Sequence, residues 1–188
     1  MRINEKNLRN IVRKIIIESL VEKYWGIGGA GIIFLCLEDG TVFLQKRSSY
    51  VSGGGGKWAF PGGGIHPEGD YEHHWNLPIP DEHVLPDNSP KFYEKAIDEV
   101  EEECGSVPPL RILDQYIYED RGFKYKTFIV SVTLADKEDW QPEAQEMHSW
   151  EVDQVGWFTA EEFSKMNLFF GFTPELISKT LRALSYAG

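Results

Sequence analysis

The chain of 188 residues carries 30 acidic and 19 basic side chains, which gives a formal net charge of −11 at pH 7. This balance excludes the basic surface that long nucleic acids require, so we expect no long nucleic acid as a partner. Hydrophobic residues make up 41% of the chain, and no apolar run approaches the ~20 residues of a membrane span, so we expect one globular domain that does not span a membrane.

Residues 1–25 are predicted to form an extension in front of the main domain, residues 26–188. Apolar residues recur at helical spacing from Leu8 to Leu20, with basic residues between them, which predicts an amphipathic helix over 5–24. This helix packs on the domain or on a second copy of the chain, which allows a homodimer. Docking to a membrane surface or a partner helix is the alternative, because the segment is positive in an acidic chain.

The first half of the main domain predicts two strands and a glycine-rich segment. The apolar, β-branched run 28–37 predicts a buried strand, and a turn leads from it to a second strand over 41–47. Residues 48–57 are rich in Ser and Gly and predict a mobile loop. The sequence Phe-Pro-Gly-Gly-Gly-Ile at 60–65 predicts a bend where the backbone can approach a ligand closely, since no Cβ intervenes.

The second half predicts an inserted surface loop followed by helices and strands. Residues 71–88 follow neither helical nor strand periodicity, so we interpret them as an insertion that serves as a lid or as part of a substrate pocket. A helix over 90–104 is expected, with Ser89 as N-cap and Gly105 as terminator. Alternating segments at 110–119, 124–134 and 151–158 predict strands, and capping signals at Thr159 and Thr173 predict two further helices. These elements together predict an α+β fold.

The predicted helix carries five carboxylates within six consecutive positions. At ~100° per residue, three of them share one face and Glu101 points the other way. Like charges on one face repel one another, so the pattern indicates either a solvated surface or a bound divalent cation such as Mg²⁺. The five are Asp98, Glu99, Glu101, Glu102 and Glu103, with Glu99, Glu102 and Glu103 on the shared face.

The glycine segment and the acidic helix together resemble the signature of the Nudix hydrolase superfamily. That signature runs Gly, five residues, Glu, seven residues, then Arg-Glu-aliphatic-x-Glu-Glu-x-Gly-aliphatic. Residues 98–105 match its second half, and 60–65 are similar to the family's lead-in. The resemblance covers residues 26–170 and implies a Nudix-like α/β/α sandwich with a mixed central sheet.

Three positions depart from the family pattern. Asp98 stands where the family has an Arg that is expected to orient the next residue, so Glu99 must be held by another group. The spacer before the helix is much longer than seven residues and leaves Glu68 or Asp70 as the candidates for the first Glu. Ser106 replaces the closing aliphatic residue.

The resemblance implies a hydrolase that uses Mg²⁺ or Mn²⁺ to cleave a nucleoside diphosphate linked to another moiety, a small nucleotide-type substrate. The ion would neutralise the phosphates and lower the pKa of a bound water. Glu151 matches a late acidic position of many members and is a candidate for a further ligand or the general base, for which Glu99 is the rival. The implied metal ligands are Glu99, Glu102, Glu103 and a backbone carbonyl of Gly62 or Gly63.

Weaker expectations concern substrate contacts. Lys46 and Arg47 end a strand beside the glycine-rich loop and are candidates for phosphate binding, with ordinary surface charges as the alternative. Trp58 and Tyr125 are candidates for stacking on a nucleobase, with core packing as the alternative.

A non-catalytic Nudix-fold nucleotide-binding sensor remains the alternative function, because Asp98 replaces the Arg and the spacer is disrupted. Cys36 and Cys104 lie on predicted apolar faces and are interpreted as core thiols, which indicates a reducing, cytoplasmic location.

Overall fold

The structure is a computed structural model. It describes residues 26–51, 54–67, 77–140, 142, 151–169 and 171–185. The predicted N-terminal helix, the first part of the insertion, and Glu68 and Asp70 lie outside the described residues.

A mixed sheet of seven strands forms the centre of the fold. Its strands are β1 (Gly28–Cys36), β2 (Thr41–Arg47), β3 (Trp58–Ala59), β4 (Gly62–Ile65), β5 (Arg111–Asp120), β6 (Phe123–Val132) and β7 (Val152–Thr159). The order is β3-β2-β1-β6-β5, with β4 also paired to β1 and β7 to β2. β1 and β6 are parallel, and the other pairings of these strands are antiparallel.

Helices cover both faces of the sheet. They are α1 (Lys91–Cys104), α2 (Leu134–Asp139), α3 (Ala160–Ser164) and α4 (Pro174–Ser185). Every residue of β1 is buried, because alternate side chains enter the two cores. Phe34 packs with α1, whereas Ile33 packs with α3 and α4. The predicted α/β/α sandwich with a mixed central sheet is therefore confirmed.

Helix α1 forms where its apolar spacing predicts. Phe92, Ala96, Val100 and Cys104 recur at i+4 steps and are buried against the sheet. Gly105 ends the helix at φ 82°, a left-handed conformation that glycine adopts without a Cβ penalty. The prediction that Ser89 is the N-cap is wrong. Pro90 is the N-cap of α1, and no side chain caps this end of the helix.

Two other local predictions are corrected. The glycine segment is a strand rather than a bend, since Gly62–Ile65 pair with the first half of β1. The strand predicted to reach residue 134 ends at Val132. There Thr133 accepts a hydrogen bond from the backbone N–H of Asp136, at 3.1 Å, and starts α2.

The described part of the insertion, residues 77–88, is mostly exposed but is anchored to the core at two residues. Ile79 and Leu85 are buried in the cluster beneath α1. The backbone N–H of Ile79 donates to the carbonyl of Arg121 at 2.9 Å. Lys126 donates to the carbonyl of Asp87 at 2.7 Å, which ties the segment to β6. These residues therefore form a surface segment that is held in place by the core, and a role as a lid or as part of a substrate pocket stays a prediction.

Other expectations agree with the structure. Cys36 and Cys104 are buried free thiols. The predicted cap at Thr159 is a capping box with Glu162. Among the described residues, no helix is both long enough and apolar enough to cross a membrane.

Candidate active site

The innermost carboxylate of the site belongs to Glu103, on the last turn of α1. Its side chain is only 5% exposed. Oε2 accepts hydrogen bonds from Gln45 Nε2 at 2.9 Å and from the backbone N–H of Gly62 at 3.0 Å. Helix α1, strand β2 and strand β4 thus meet at this one oxygen atom.

Glu99 lies one turn before Glu103 and faces the same strand. Its carboxylate lies directly against the Cα of Gly63, where a Cβ would overlap it. Glycine at this position therefore lets β4 and the carboxylate approach each other. Glu99 also forms an ion pair with Lys95.

Glu99 and Glu151 both act on Glu103 electrostatically. Burial, with the negative charges of Glu99 and Glu151 added, raises the pKa of Glu103 to about 8, against the hydrogen bonds from Gln45 and Gly62 that lower it. Glu151 precedes β7, and its backbone carbonyl accepts a hydrogen bond from Ser48 at 2.7 Å. Three of the four predicted acidic site residues therefore lie close enough to influence one another.

The fourth, Glu102, is exposed on α1. Its charge contributes to a raised pKa of Lys95: burial lowers this pKa, but the ion pair with Glu99 and the charges of Glu102 and Asp98 outweigh that effect. Asp98 and Glu101 are exposed as well. Glu101 points to solvent, as the helical periodicity predicts.

Gln45 is a polar residue of the site that the sequence reasoning missed. It is 1% exposed, and its Oε1 atom has no hydrogen-bond partner. A period-2 count places Gln45 on the same face of β2 as Phe43, which packs beneath α1. A polar side chain at a position that faces the core was the signal available in the sequence.

Lys95 was missed as well, although its spacing identifies it. It stands four residues before Glu99 on the same helix, the separation at which side chains meet.

Tyr125 lies beside the glycine strand. Its hydroxyl donates to the carbonyl of Ala30 at 3.0 Å and lies where a Cβ of Gly62 would be. Burial raises the pKa of Tyr125, and the charges of Glu103 and Glu99 add to this effect. With its hydroxyl bound to the backbone and its ring edge-on to Phe60, Tyr125 supports the shape of the site, and stacking on a base stays a prediction.

The other candidate substrate residues lie around β2 and β3. The guanidinium of Arg47 lies 4.6 Å from the ring centre of Phe169, and its Nε atom is buried without a hydrogen-bond partner. Trp58 packs edge-on against Phe158, with ring centres 4.7 Å apart, and it pairs with Lys46 across the β2–β3 ladder. Trp58 is thus half-buried and packs against the core beneath α4.

The donor set fits a hard divalent cation in its chemistry but is not arranged around one point. Within the described residues, no three His, Cys, Asp or Glu side chains are grouped so as to hold a metal ion. The carboxylates of Glu99 and Glu103 repel each other, and Gln45 Oε1 is a buried oxygen without a donor. Oxygen ligands of this kind are the ones that Mg²⁺ and Mn²⁺ prefer.

Comparison with known families identifies this architecture. The chain belongs to the NUDIX domain family, because the model of that domain matches residues 27–177. By class it is therefore a Nudix-type pyrophosphohydrolase, an enzyme that acts on phosphoric anhydrides. None of the curated proteins compared with the sequence is a significant match.

Solved structures share the fold at low sequence identity. The Nudix hydrolase RenU of M. smegmatis is 21% identical with a TM-score of 0.57, covering 87% of this chain and 88% of its own. A binary complex of the C. elegans Ap4A hydrolase is 18% identical with a TM-score of 0.50, covering 85% and 95%. The NUDIX domain of Shewanella oneidensis NrtR, solved with ADP ribose, is 20% identical with a TM-score of 0.50, covering 85% and 88%.

Proposed function

We propose that the protein hydrolyses a nucleoside diphosphate linked to another moiety and depends on Mg²⁺ or Mn²⁺ for this reaction. The observation that supports the proposal most is the buried carboxylate of Glu103. It lies beside Glu99 and near Glu151, and no basic side chain of the described residues pairs with it. Such a group is costly to bury unless a cation joins it.

Glu99 and Glu103, with the backbone carbonyl of Gly63, would hold the ion, and Glu102 would join them from the surface of the helix. Bound there, the ion would neutralise phosphate charge and lower the pKa of a bound water. The protein's own groups would fix the geometry: Gln45 and the Gly62 N–H hold one oxygen of Glu103, and Gly63 leaves room for Glu99.

In the hydrolysis, the oxygen of water forms a bond to phosphorus, and the anhydride P–O bond breaks. The products are a nucleoside monophosphate and a second phosphorylated compound or pyrophosphate. Glu151 or Glu99 would take the proton from the water, since both lie near Glu103. Arg47 and Lys46, at the end of β2, would bind the phosphates, and Trp58 or Tyr125 would contact the base.

The structural relatives suggest which substrates to test first. One is an Ap4A hydrolase and another was solved with ADP ribose, and both compounds contain phosphoric anhydride bonds. Two buried free thiols suit a reducing compartment, so we propose a cytoplasmic location. A homodimer stays a prediction.

The test is hydrolysis of a panel that contains a dinucleoside polyphosphate, ADP ribose and nucleoside triphosphates, with Mg²⁺, Mn²⁺ or EDTA. Glu99→Gln and Glu103→Gln are expected to lower kcat/KM at least 100-fold, because each removes a charge at the site. Glu101→Gln is the matched control, since it makes the same change on the exposed side of α1.

Turnover that persists in EDTA or in Glu103→Gln would overturn the metal assignment. Tight binding of a nucleotide without turnover under either ion would instead support the nucleotide sensor.

A further inference from the structure

Lys95 is a cation placed among carboxylates. Its ammonium group pairs with Oε1 of Glu99, and the side chains of Lys95 and Glu99 are only 25% and 14% exposed. Burial lowers the pKa of Lys95, but the negative charges of Glu99, Glu102 and Asp98 together raise it above its ordinary value. The pair is therefore partly withdrawn from water, unlike a surface ion pair, which contributes little to stability.

Helix stabilisation alone does not account for this pair. A Glu and a Lys four residues apart stabilise a helix better when the Glu comes first, and here Lys95 precedes Glu99. The order thus favours a role at the carboxylate rather than in the helix.

The surroundings of Glu99 leave its carboxylate little freedom. Its Oε1 atom is the one closest to the position that a Cβ of Gly63 would take, and the same Oε1 pairs with Lys95. The next residue, Asp98, is exposed and negative and offers no hydrogen-bond donor in its side chain. Lys95 is thus the basic group, among the described residues, that contacts Glu99.

We infer that Lys95 is a positioning residue: it holds Oε1 of Glu99 beside Gly63 and leaves the other carboxylate oxygen to bind a cation. The inference rests on the proposed function, because it assumes that Glu99 and Glu103 serve a common cation. Lys95 would thereby orient Glu99, which is the role expected of the arginine that Asp98 replaces in this chain.

The direction of the change in the dissociation constant for a metal ion distinguishes a positioning role from a purely electrostatic one. Removing a positive charge beside a cation site strengthens cation binding when charge alone matters. Removing a group that orients a ligand weakens metal binding, typically between about 10-fold and 100-fold. The two roles therefore predict opposite shifts in the dissociation constant for a metal ion.

The experiment measures Mn²⁺ binding to the full chain by titration calorimetry, without nucleotide, for the wild type, Lys95→Met and Lys95→Arg. Lys91→Met is the matched control, because it makes the same change one turn earlier on α1. Methionine keeps the apolar stem and a high helix propensity, and circular dichroism confirms that each variant is folded. Hydrolysis of the best substrate from the panel is measured in parallel.

We expect Lys95→Met to bind Mn²⁺ at least 10-fold more weakly and to lose kcat more than KM, with Lys95→Arg restoring most of both. Lys91→Met should bind as the wild type does. Unchanged or tighter binding by Lys95→Met, beside a wild type that binds Mn²⁺, would overturn the role of Lys95 alone. A wild type that binds no Mn²⁺ would overturn the metal-dependent function and this role together.

Discussion

At the scale of single residues, the side chain of Glu103 is buried between Gln45 and Gly62. At neutral pH, folding must either bury its charge or let it take up a proton, and both cost free energy. The orphan Oε1 of Gln45 adds to this cost, because an unpaired buried acceptor loses its hydration. Both groups therefore lower the stability of the fold, as is common for residues that serve a functional site.

Glu103→Gln is expected to stabilise the metal-free protein by about 1–3 kcal/mol. The neutral amide avoids burying a charge, and its oxygen can take the place of Oε2 and still accept from Gln45 Nε2 and the Gly62 N–H. Urea unfolding in EDTA at pH 7.5 measures the free energy of unfolding. Glu101→Gln, on the exposed face, should change it by less than about 0.5 kcal/mol. A destabilised Glu103→Gln would show that the carboxylate is already satisfied.

The sequence predicts the acidic residues of the site but not their supports. Glu99, Glu103 and Gly63 follow from helical spacing and from the resemblance, and the structure brings them together. Gln45 could not be placed this way, because it lies far from α1 in the sequence and meets Glu103 only through the pairing of the sheet. Spacing identifies Lys95 as a neighbour of Glu99 but does not show that Gly63 also bounds its carboxylate.

At the scale of elements, the surface segment 77–88 has anchors in the core that the sequence does not predict. It has no helical or strand period, yet Ile79 and Leu85 are buried. Lys126, itself buried, donates to the backbone of Asp87 and lies 5.9 Å from the ring centre of Phe92. Tertiary contacts of this kind leave no periodic signal, so the sequence predicts the strands and helices but not the anchors of this segment.

Ile79→Ala is expected to lower the free energy of unfolding by about 2–5 kcal/mol, because it opens a cavity beneath α1. Leu77→Ala is the matched control two residues earlier, since Leu77 is 54% exposed. It should change the free energy of unfolding by less than about 0.5 kcal/mol. Chemical denaturation of both variants is the measurement. Equal, small effects would mean that the segment lies loosely on the surface after all.

At the scale of the whole molecule, one sheet separates two cores. Phe92 belongs to the core beneath α1, and Leu176 belongs to the core beneath α4, and both are fully buried. Strand β1 contributes to both cores along its entire length. Loss of either core therefore exposes one face of the strand that the other core needs.

We expect Phe92→Ala and Leu176→Ala each to lower the midpoint of a single unfolding transition. Far-ultraviolet circular dichroism and tryptophan fluorescence should report the same midpoint for each variant, because the two cores unfold together. Separate midpoints for the two probes would contradict this expectation and would show that the layers unfold independently.

The pairing of β2 with β7 also constrains the order of events during protein synthesis. Thr41 pairs with Thr159 and Arg47 with Val152, so one side of β2 has no partner until residues 152–159 have left the ribosome. An open strand edge invites pairing with other chains. The nascent chain is therefore most exposed to aggregation just before its last strand emerges, and Glu151 joins the other carboxylates only at that step.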